Sequence, residues 1–404
     1  MGGYQKRKGR VAVIHLGNVN QALVDWHIQP SNGFFDETPV LHDDIVDAVA
    51  GFSAYLFKQV DSKQYPEIVS LAFWFRHAHL KQVLGESKGD FSQKNVNRVF
   101  HIAPANVDTV FMYSLLLSVL CGNKNIVRIS QRSGDVTKLL VAYLRQYMKS
   151  AEGALLASLV SVIEYDAQYQ DITEQLSHWC GLRVVWGGDS AIASISDIAP
   201  KTPQISFPDR YSVAVLQLDD TSNIVSVASA FLADVLPFTQ QACSSPKALY
   251  WLNTSRIHQE KFWHQVNLLL ASSIHQFELS HKVEQHVLLQ RLIGNFGMMI
   301  IDETGKKIAN FAQLVNVGVI ARCKVKTLTS SVLAAHTGFG LVIEKDIVSV
   351  DEIACSSKLQ TITHRTLSDW QNPNGQFKRV VPIGKALEFS PVWDGVDLLQ
   401  SFSQ

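Results

Sequence analysis

The residues Gln240-Gln241-Ala242-Cys243-Ser244-Ser245-Pro246 join two apolar segments. Before them, Ile224 to Leu236 carries apolar side chains at helical spacing. After them, Ala248-Leu249-Tyr250-Trp251-Leu252 reads as a buried strand. A cysteine on such a loop, among small polar residues, can act as a nucleophile. Neighbouring backbone N–H groups can then receive charge developing on a substrate oxygen. The competing reading is a buried structural thiol, the commoner state of a cysteine taken alone.

The elements that must position this loop follow from the apolar pattern. Val99-Phe100-His101-Ile102-Ala103 predicts a strand ending in the turn Pro104-Ala105-Asn106. Phe111 to Leu120 predicts a helix closed by Gly122-Asn123, a good C-terminal cap. Asn125 to Ser130 predicts the next strand, so strand, helix and strand form a βαβ unit of a parallel sheet. Helices over Val136 to Met148 and Ile172 to Trp179 alternate with strands over Leu159 to Ile163 and Leu182 to Trp186. The last strand ends in Gly187-Gly188-Asp189-Ser190.

This alternation predicts a doubly wound sheet, with ligands at the carboxyl ends of its strands. Earlier, residues 10–16 read as a strand and 42–60 and 66–86 as helices. Later, Ser212 to Leu216 reads as a strand. Helices are expected near 256–274 and 281–292, with strands near 298–302, 317–321 and 340–344.

Bulk composition narrows the function classes. A chain of 404 residues with 47% hydrophobic residues is long enough for two or three sizeable cores. Lys plus Arg equals Asp plus Glu, 36 each, so no global field favours nucleic acid or an anionic membrane. The five cysteines (121, 180, 243, 323, 355) are scattered and form no CxxC pair, which indicates neither a zinc site nor a disulfide framework. No HExxH occurs among the histidines, and no metal is expected. The most apolar stretch, Phe111 to Cys121, is too short to span a membrane, and the expected location is cytoplasmic.

Taken together, these stretches resemble a family. His101-Ile102-Ala103-Pro104-Ala105-Asn106-Val107, Gly122-Asn123-Lys124-Asn125-Ile126-Val127-Arg128-Ile129-Ser130 and the Cys243 loop resemble the LuxC-type acyl-CoA reductases, within the aldehyde dehydrogenase superfamily. So does the tail Arg379-Val380-Val381-Pro382-Ile383-Gly384-Lys385-Ala386-Leu387. The resemblance implies an aldehyde-dehydrogenase-like α/β fold. A doubly wound, Rossmann-like cofactor domain (1–236) is expected beside an α/β catalytic domain (237–365). The C-terminal segment (366–404) is expected to return to the cofactor or oligomerisation region.

The resemblance further implies that Cys243 attacks the thioester of an acyl-CoA or acyl-protein donor. Asn106 and the Cys243 backbone N–H would hold the oxyanion. NADPH would reduce the resulting acyl-cysteine to a long-chain fatty aldehyde. Arg128, Ser130 and Gln131 would lie at the adenosine ribose, where relatives usually carry a lysine and, three residues on, a glutamate. Losing that acid while keeping cations favours the 2′-phosphate of NADPH. Gly187 and Gly188 match the turn that admits the pyrophosphate.

The water-activating glutamate of aldehyde-oxidising relatives has no counterpart around Ser206-Phe207-Pro208-Asp209-Arg210, which suits reduction. Asp209 is the nearby carboxylate, and Glu344 and Glu352 are candidates for the nicotinamide-ribose contact. A homo-oligomer is implied, and the resemblance leaves room for a partner protein that loads the acyl group. Two other readings stay open: an acyltransferase that needs no cofactor, and a non-catalytic scaffold with the same fold.

Overall fold

Strands buried on both faces are what a parallel sheet requires, because helices cover each side. The first sheet shows this. In the computed structural model, residues 23–35, 42–59, 64–87, 97–104, 109–272, 279–298, 320–366 and 377–404 are described. The strand expected over 10–16 and most of that near 298–302 lie outside the described residues. The chain divides into two compact units, one of residues 1–208 with 397–404 and the other of residues 209–396.

The first unit holds β1 (Asp25–Ile28), α1 (His42–Gln59), α2 (Pro66–Trp74), α3 (His77–Glu86), β2 (Arg98–Ile102) and α4 (Val110–Leu120). It continues with β3 (Lys124–Ile129), α5 (Asp135–Tyr147), α6 (Ala154–Ala157), β4 (Val160–Glu164), α7 (Gln170–Trp179), β5 (Leu182–Trp186), α8 (Asp189–Ile198) and β6 (Gln204–Phe207). The strand order is β1-β4-β3-β2-β5-β6, parallel except for β1, which pairs antiparallel with β4. Chain order therefore reverses between β2 and β5. In an open α/β sheet the ligand crevice lies at such a switch, beyond the carboxyl ends of the strands.

Helix α4 is buried along all eleven residues. It packs on β2 and β3, on α1 and on the C-terminal helix Leu398–Phe402, so no face is left for water. Gly122 ends it at φ +78°, a left-handed conformation suited to glycine. The stretch 66–86 is two helices, not one. Arg76 is extended between them, and His79 Nδ1 bonds to the Trp74 carbonyl at 2.7 Å.

The second unit holds β7 (Tyr211–Leu216), α9 (Ile224–Val235), β8 (Pro246–Leu252), α10 (Arg256–Ala271), α11 (Leu279–Phe296) and β9 (Ala321–Lys324). Then follow α12 (Ser330–Ala334), β10 (Leu341–Ile347), β11 (Leu359–Arg365) and β12 (Arg379–Pro382). Its strands are ordered β12-β11-β7-β8-β10-β9, all parallel. Side chains alternate between two cores. Val213, Val215, Ala248 and Tyr250 pack with Leu288, Leu289 and Leu333 on one face. Ala214, Leu216, Leu249 and Trp251 pack with Phe231, Phe262 and Trp263 on the other.

Two boundaries differ from the sequence expectation. Residues 209–236, expected with the cofactor half, contribute β7 and α9 to the second unit, because β7 pairs with β8 and β11. In the C-terminal segment, β12 pairs with β11 in the second unit, and residues 397–404 belong to the first.

Candidate active site

Cys243 sits where the sequence expects it, on the loop between α9 and β8, and is partly exposed. The loop begins with an uncommon backbone. Phe238, Thr239 and Gln240 have φ of 53°, 51° and 63°, three left-handed non-glycine residues in succession. Such residues persist only where surrounding contacts fix them. Here Gln240 is fully buried, and its Nε2 donates to the carbonyls of Pro246 (2.7 Å) and Leu341 (2.9 Å). The Phe339 N–H donates to the Thr239 carbonyl at 2.7 Å. Gly338 lies so close that a Cβ there would sit 2.7 Å from the Gln240 oxygen. After the thiol, Ser212 Oγ donates to the Cys243 carbonyl at 2.7 Å, tying the loop to β7.

The thiol is subject to opposing influences. Burial pushes its pKa up. The Arg210 backbone N–H and the Lys247 ammonium pull it down and Asp209 and Asp394 push it up, but burial is the largest influence and the net direction is upward. On the far side of the loop, Ser244 Oγ donates to Gln360 Oε1 at 3.0 Å. Gln360 Nε2 donates to Asp394 Oδ1 at 2.6 Å, and Arg210 Nε lies 3.8 Å from Asp394 Oδ2. A cavity of about 180 Å³ opens beside Ser244, with Gln360, Trp393 and Asp394 on its wall. Such an arrangement offers a partly exposed thiol on a braced loop, with a polar recess beside the serine that follows it.

The sequence-chosen cofactor residues collect at the carboxyl edge of the first sheet. Arg128, half-buried near the end of β3, stacks its guanidinium 4.7 Å from the Tyr165 ring centroid and donates from Nη2 to the Tyr165 carbonyl at 3.3 Å. Its buried Nε has no hydrogen-bond partner among the described residues. Ser130 accepts the Arg132 N–H at 3.2 Å in a tight turn, and Gln131 and Arg132 at its tip are exposed. Gly187 and Gly188 follow β5, and Gly188 is the N-cap of α8. Both strand ends flank β2 at the switch in chain order. A donor lacking a partner among the described residues, exposed polar side chains and an uncapped helix N-terminus at one edge of the sheet are the kinds of group a nicotinamide dinucleotide requires. Asn106 lies outside the described residues.

Several expectations are revised. Glu344 is buried on β10, and its oxygens are taken up by the indole N–H groups of Trp251 (2.8 Å) and Trp263 (2.7 Å) and by Arg322 Nε (2.8 Å). It is a structural carboxylate. Glu352 accepts the N–H groups of Val348 and Ser349 and closes a capping box. His101 is buried between Ser114 (3.2 Å) and Asn125 (3.0 Å) in the first unit. Phe111, Met112 and Trp251 are core residues.

Sequence reasoning missed Lys247, Arg210, Gln360 and Asp394 as neighbours of the cysteine loop. The lysine had a signal, a lone charge inside the apolar strand Pro246–Leu252. The Arg210 contribution is a backbone N–H, to which residue type is blind. Among the described residues no cluster of His, Cys, Asp or Glu could hold a metal ion.

Comparison with known proteins fits this arrangement. The family described as acyl-CoA reductase (LuxC) matches residues 80–285, about half of the chain. That segment contains all seven sequence-chosen site residues. A curated relative, long-chain acyl-protein thioester reductase 2 of Photobacterium leiognathi, is 24% identical over 156 residues. The alignment covers 38% of this chain and 32% of that protein, so the chain matches about a third of the relative's length.

Among solved structures, the chain is similar to a 1-pyrroline-5-carboxylate dehydrogenase of Thermus thermophilus. The TM-score is 0.60 and the identity 10%, with 91% of this chain and 79% of that one covered. It is similar also to an NAD-dependent aldehyde dehydrogenase from Sinorhizobium meliloti, with TM-score 0.58, identity 10%, and 87% and 76% covered. At such identity the likeness establishes the fold, which is aldehyde-dehydrogenase-like. With the family match extending over β2 to α10 and including the cysteine loop, the chain belongs to the acyl-CoA reductase (LuxC) family.

Proposed function

We propose that the protein reduces a long-chain acyl thioester to the aldehyde with NADPH, through an acyl-enzyme on Cys243. The observation that carries the reading is the Cys243 loop, whose partly exposed thiol follows three left-handed residues and lies inside the segment the family shares. In the reaction, the Cys243 sulfur attacks the thioester carbonyl carbon. The C–S bond to the donor breaks, the donor thiolate leaves and takes up a proton, and the acyl group stays on Cys243. The Cys243 N–H, with Asn106, is assigned to the oxyanion, a donor of a kind worth about 3 kcal/mol.

Bound NADPH supplies the hydride that reduces the acyl group. Arg128, Ser130 and Gln131 would hold its adenosine end and Gly187 and Gly188 its pyrophosphate. When the tetrahedral adduct collapses, the aldehyde departs and Cys243 regains its sulfur as thiolate or thiol. The carboxylates near the thiol do not provide an obvious base for water. Asp394 is hydrogen-bonded to Gln360 and faces Arg210, which disfavours it as a base for water. No described helix is long and apolar enough to cross a membrane.

The test is NADPH oxidation with tetradecanoyl-CoA, native protein against Cys243→Ala. Loss of absorbance at 340 nm with the native protein alone supports the reading. Acyl labelling of Cys243 without NADPH oxidation would replace it with an acyltransferase. No labelling from either acyl-CoA or an acyl-protein donor would leave a scaffold.

A further inference from the structure

Lys247 is buried, only 3% exposed, on a strand whose other side chains are apolar or small. Its side chain turns back into the cysteine loop. Nζ donates to the carbonyl of Gln240 and, at 3.5 Å, to that of Ala242, the residue before the thiol. Both acceptors are neutral carbonyls rather than carboxylates. The three left-handed residues before Cys243 are what bring the Gln240 carbonyl to this position. An ammonium buried on neutral acceptors is costly unless an anion shares its site.

The charged and titratable groups around it narrow the source of that anion. His336, at the end of α12, is held neutral. Its Nδ1 accepts the Gly338 N–H at 3.1 Å, so Nε2 carries the proton and donates to the Leu341 carbonyl at 3.0 Å. Burial, with the Lys247 charge, lowers its pKa to about 3, and Arg291 acts in the same direction. Arg210 and Asp394 face each other across 3.8 Å, and Asp394 is also bonded to Gln360. Asp209 acts on both Lys247 and Cys243 but is exposed to solvent. The group on the loop itself that can become an anion is the Cys243 thiol.

We propose that Lys247 is the positioning residue of the nucleophile: its buried ammonium favours the thiolate of Cys243 against the burial that opposes it, while its hydrogen bonds hold the loop. This rests on Cys243 being the nucleophile and adds the source of its ionisation. The electrostatics agree in sign. Burial lowers the Lys247 pKa to about 8, with Cys243 and Asp209 working against that fall. Lysine and cysteine therefore titrate as a pair, each favouring the other's charged form.

The test is the pH dependence of Cys243 alkylation by iodoacetamide, read by peptide mass spectrometry between about pH 6 and pH 10. Native protein is compared with Lys247→Arg, Lys247→Gln and Lys247→Met. Loss of the charge is expected to move the midpoint up by about one pH unit and to slow alkylation at pH 7.5 about tenfold, while Lys247→Arg stays close to native. Lys247→Gln keeps an amide donor for the two carbonyls, so it decides the matter even if Lys247→Met fails to fold. A native profile in Lys247→Gln overturns the proposal and leaves the lysine a loop brace. Acylation of native Cys243 by tetradecanoyl-CoA is followed in parallel. A lysine-dependent alkylation profile without acyl label would keep the role of Lys247 and remove the reductase reading.

Discussion

Asp234 accepts the backbone N–H of Gly384 at 2.8 Å, across 150 residues of chain. Its other oxygen accepts the N–H of Ala386, also at 2.8 Å. The tail motif Pro382-Ile383-Gly384-Lys385-Ala386, noticed in the sequence only as a resemblance, is thus docked on a buried carboxylate of α9, the helix that leads to the cysteine loop. Burial raises the Asp234 pKa to about 6, against the two N–H donors, Arg379 and Thr363. An asparagine would keep one acceptor and turn an NH₂ group toward the other N–H. Asp234→Asn is expected to cost about 1–3 kcal/mol in urea unfolding. An unchanged midpoint would show that the tail docks without this carboxylate.

The acid stability of the protein should be set by histidines buried in neutral form. His101 and His336 have pKa values lowered from 6.5 to about 4 and about 3, chiefly by burial. Folding therefore favours the deprotonated form. The stability they contribute is complete above about pH 6.5 and is lost as pH falls through 6.5 toward 4 and then 3. For His101 alone the difference amounts to about 3 kcal/mol. Denaturation curves at stepwise lower pH should fall steeply below pH 6.5 in native protein. In His101→Gln, which can still hydrogen-bond Asn125 and Ser114, the slope should be shallower. Equal slopes would remove His101 from the account.

The carboxylate of Glu344 separates a structural from a cofactor role. It joins two indoles and one guanidinium inside the second unit. Glu344→Gln would leave Arg322 without its anion and set an amide NH₂ against an indole N–H. A loss of about 3–5 kcal/mol is expected, with a change in tryptophan fluorescence. Acylation of Cys243 in the folded fraction should continue, and the KM for NADPH should stay near native. A selective rise in that KM, with stability intact, would return Glu344 to the nicotinamide ribose.

How far the fold was legible depended on how each element is stabilised. Strands β4, β5, β7 and β8 are mostly apolar, and β2 and β3 keep short apolar stretches between polar residues, so hydropathy located them within a residue or two. Strand β11 escaped because its buried positions include Gln360, Thr361 and Thr363. Gln360 is made compatible with burial by Ser244 and Asp394, contacts far away in sequence. Strand β6 escaped because it is a short edge strand with only Phe207 fully buried. At the site, residue type singled out Cys243 but not its surroundings. Nothing in the letters Gln240-Gln241-Ala242 states that three consecutive residues from Phe238 turn left-handed, and that turn is what aims the carbonyls at Lys247.

Cofactor choice should respond to the turn after β3. Gln131 is exposed at its tip, with Arg132 beside it and the Arg128 Nε still able to donate. A carboxylate there would accept a ribose hydroxyl and repel a 2′-phosphate. Gln131→Glu is expected to raise the KM for NADPH about tenfold and to lower that for NADH, with kcat little changed. Parallel titrations with the two cofactors measure it. If both constants stay put, the adenosine ribose does not bind at this turn.

Gly338 offers a test of the loop that spares its chemistry. Its φ is +109°, where side chains other than glycine's are strained, and a Cβ would meet the Gln240 carbonyl oxygen at 2.7 Å. Gly338→Ala must therefore push back the carbonyl that Lys247 grips, without touching the thiol. We expect a loss of about 2–4 kcal/mol in stability and slower Cys243 alkylation in the protein that remains folded. Gly85→Ala is the control. That residue lies in α3 with open space around its Cβ position, and alanine there should stabilise by about 0.5–1 kcal/mol. Should Gly338→Ala unfold no more easily than native and alkylate at the native rate, the left-handed turn would not govern the nucleophile.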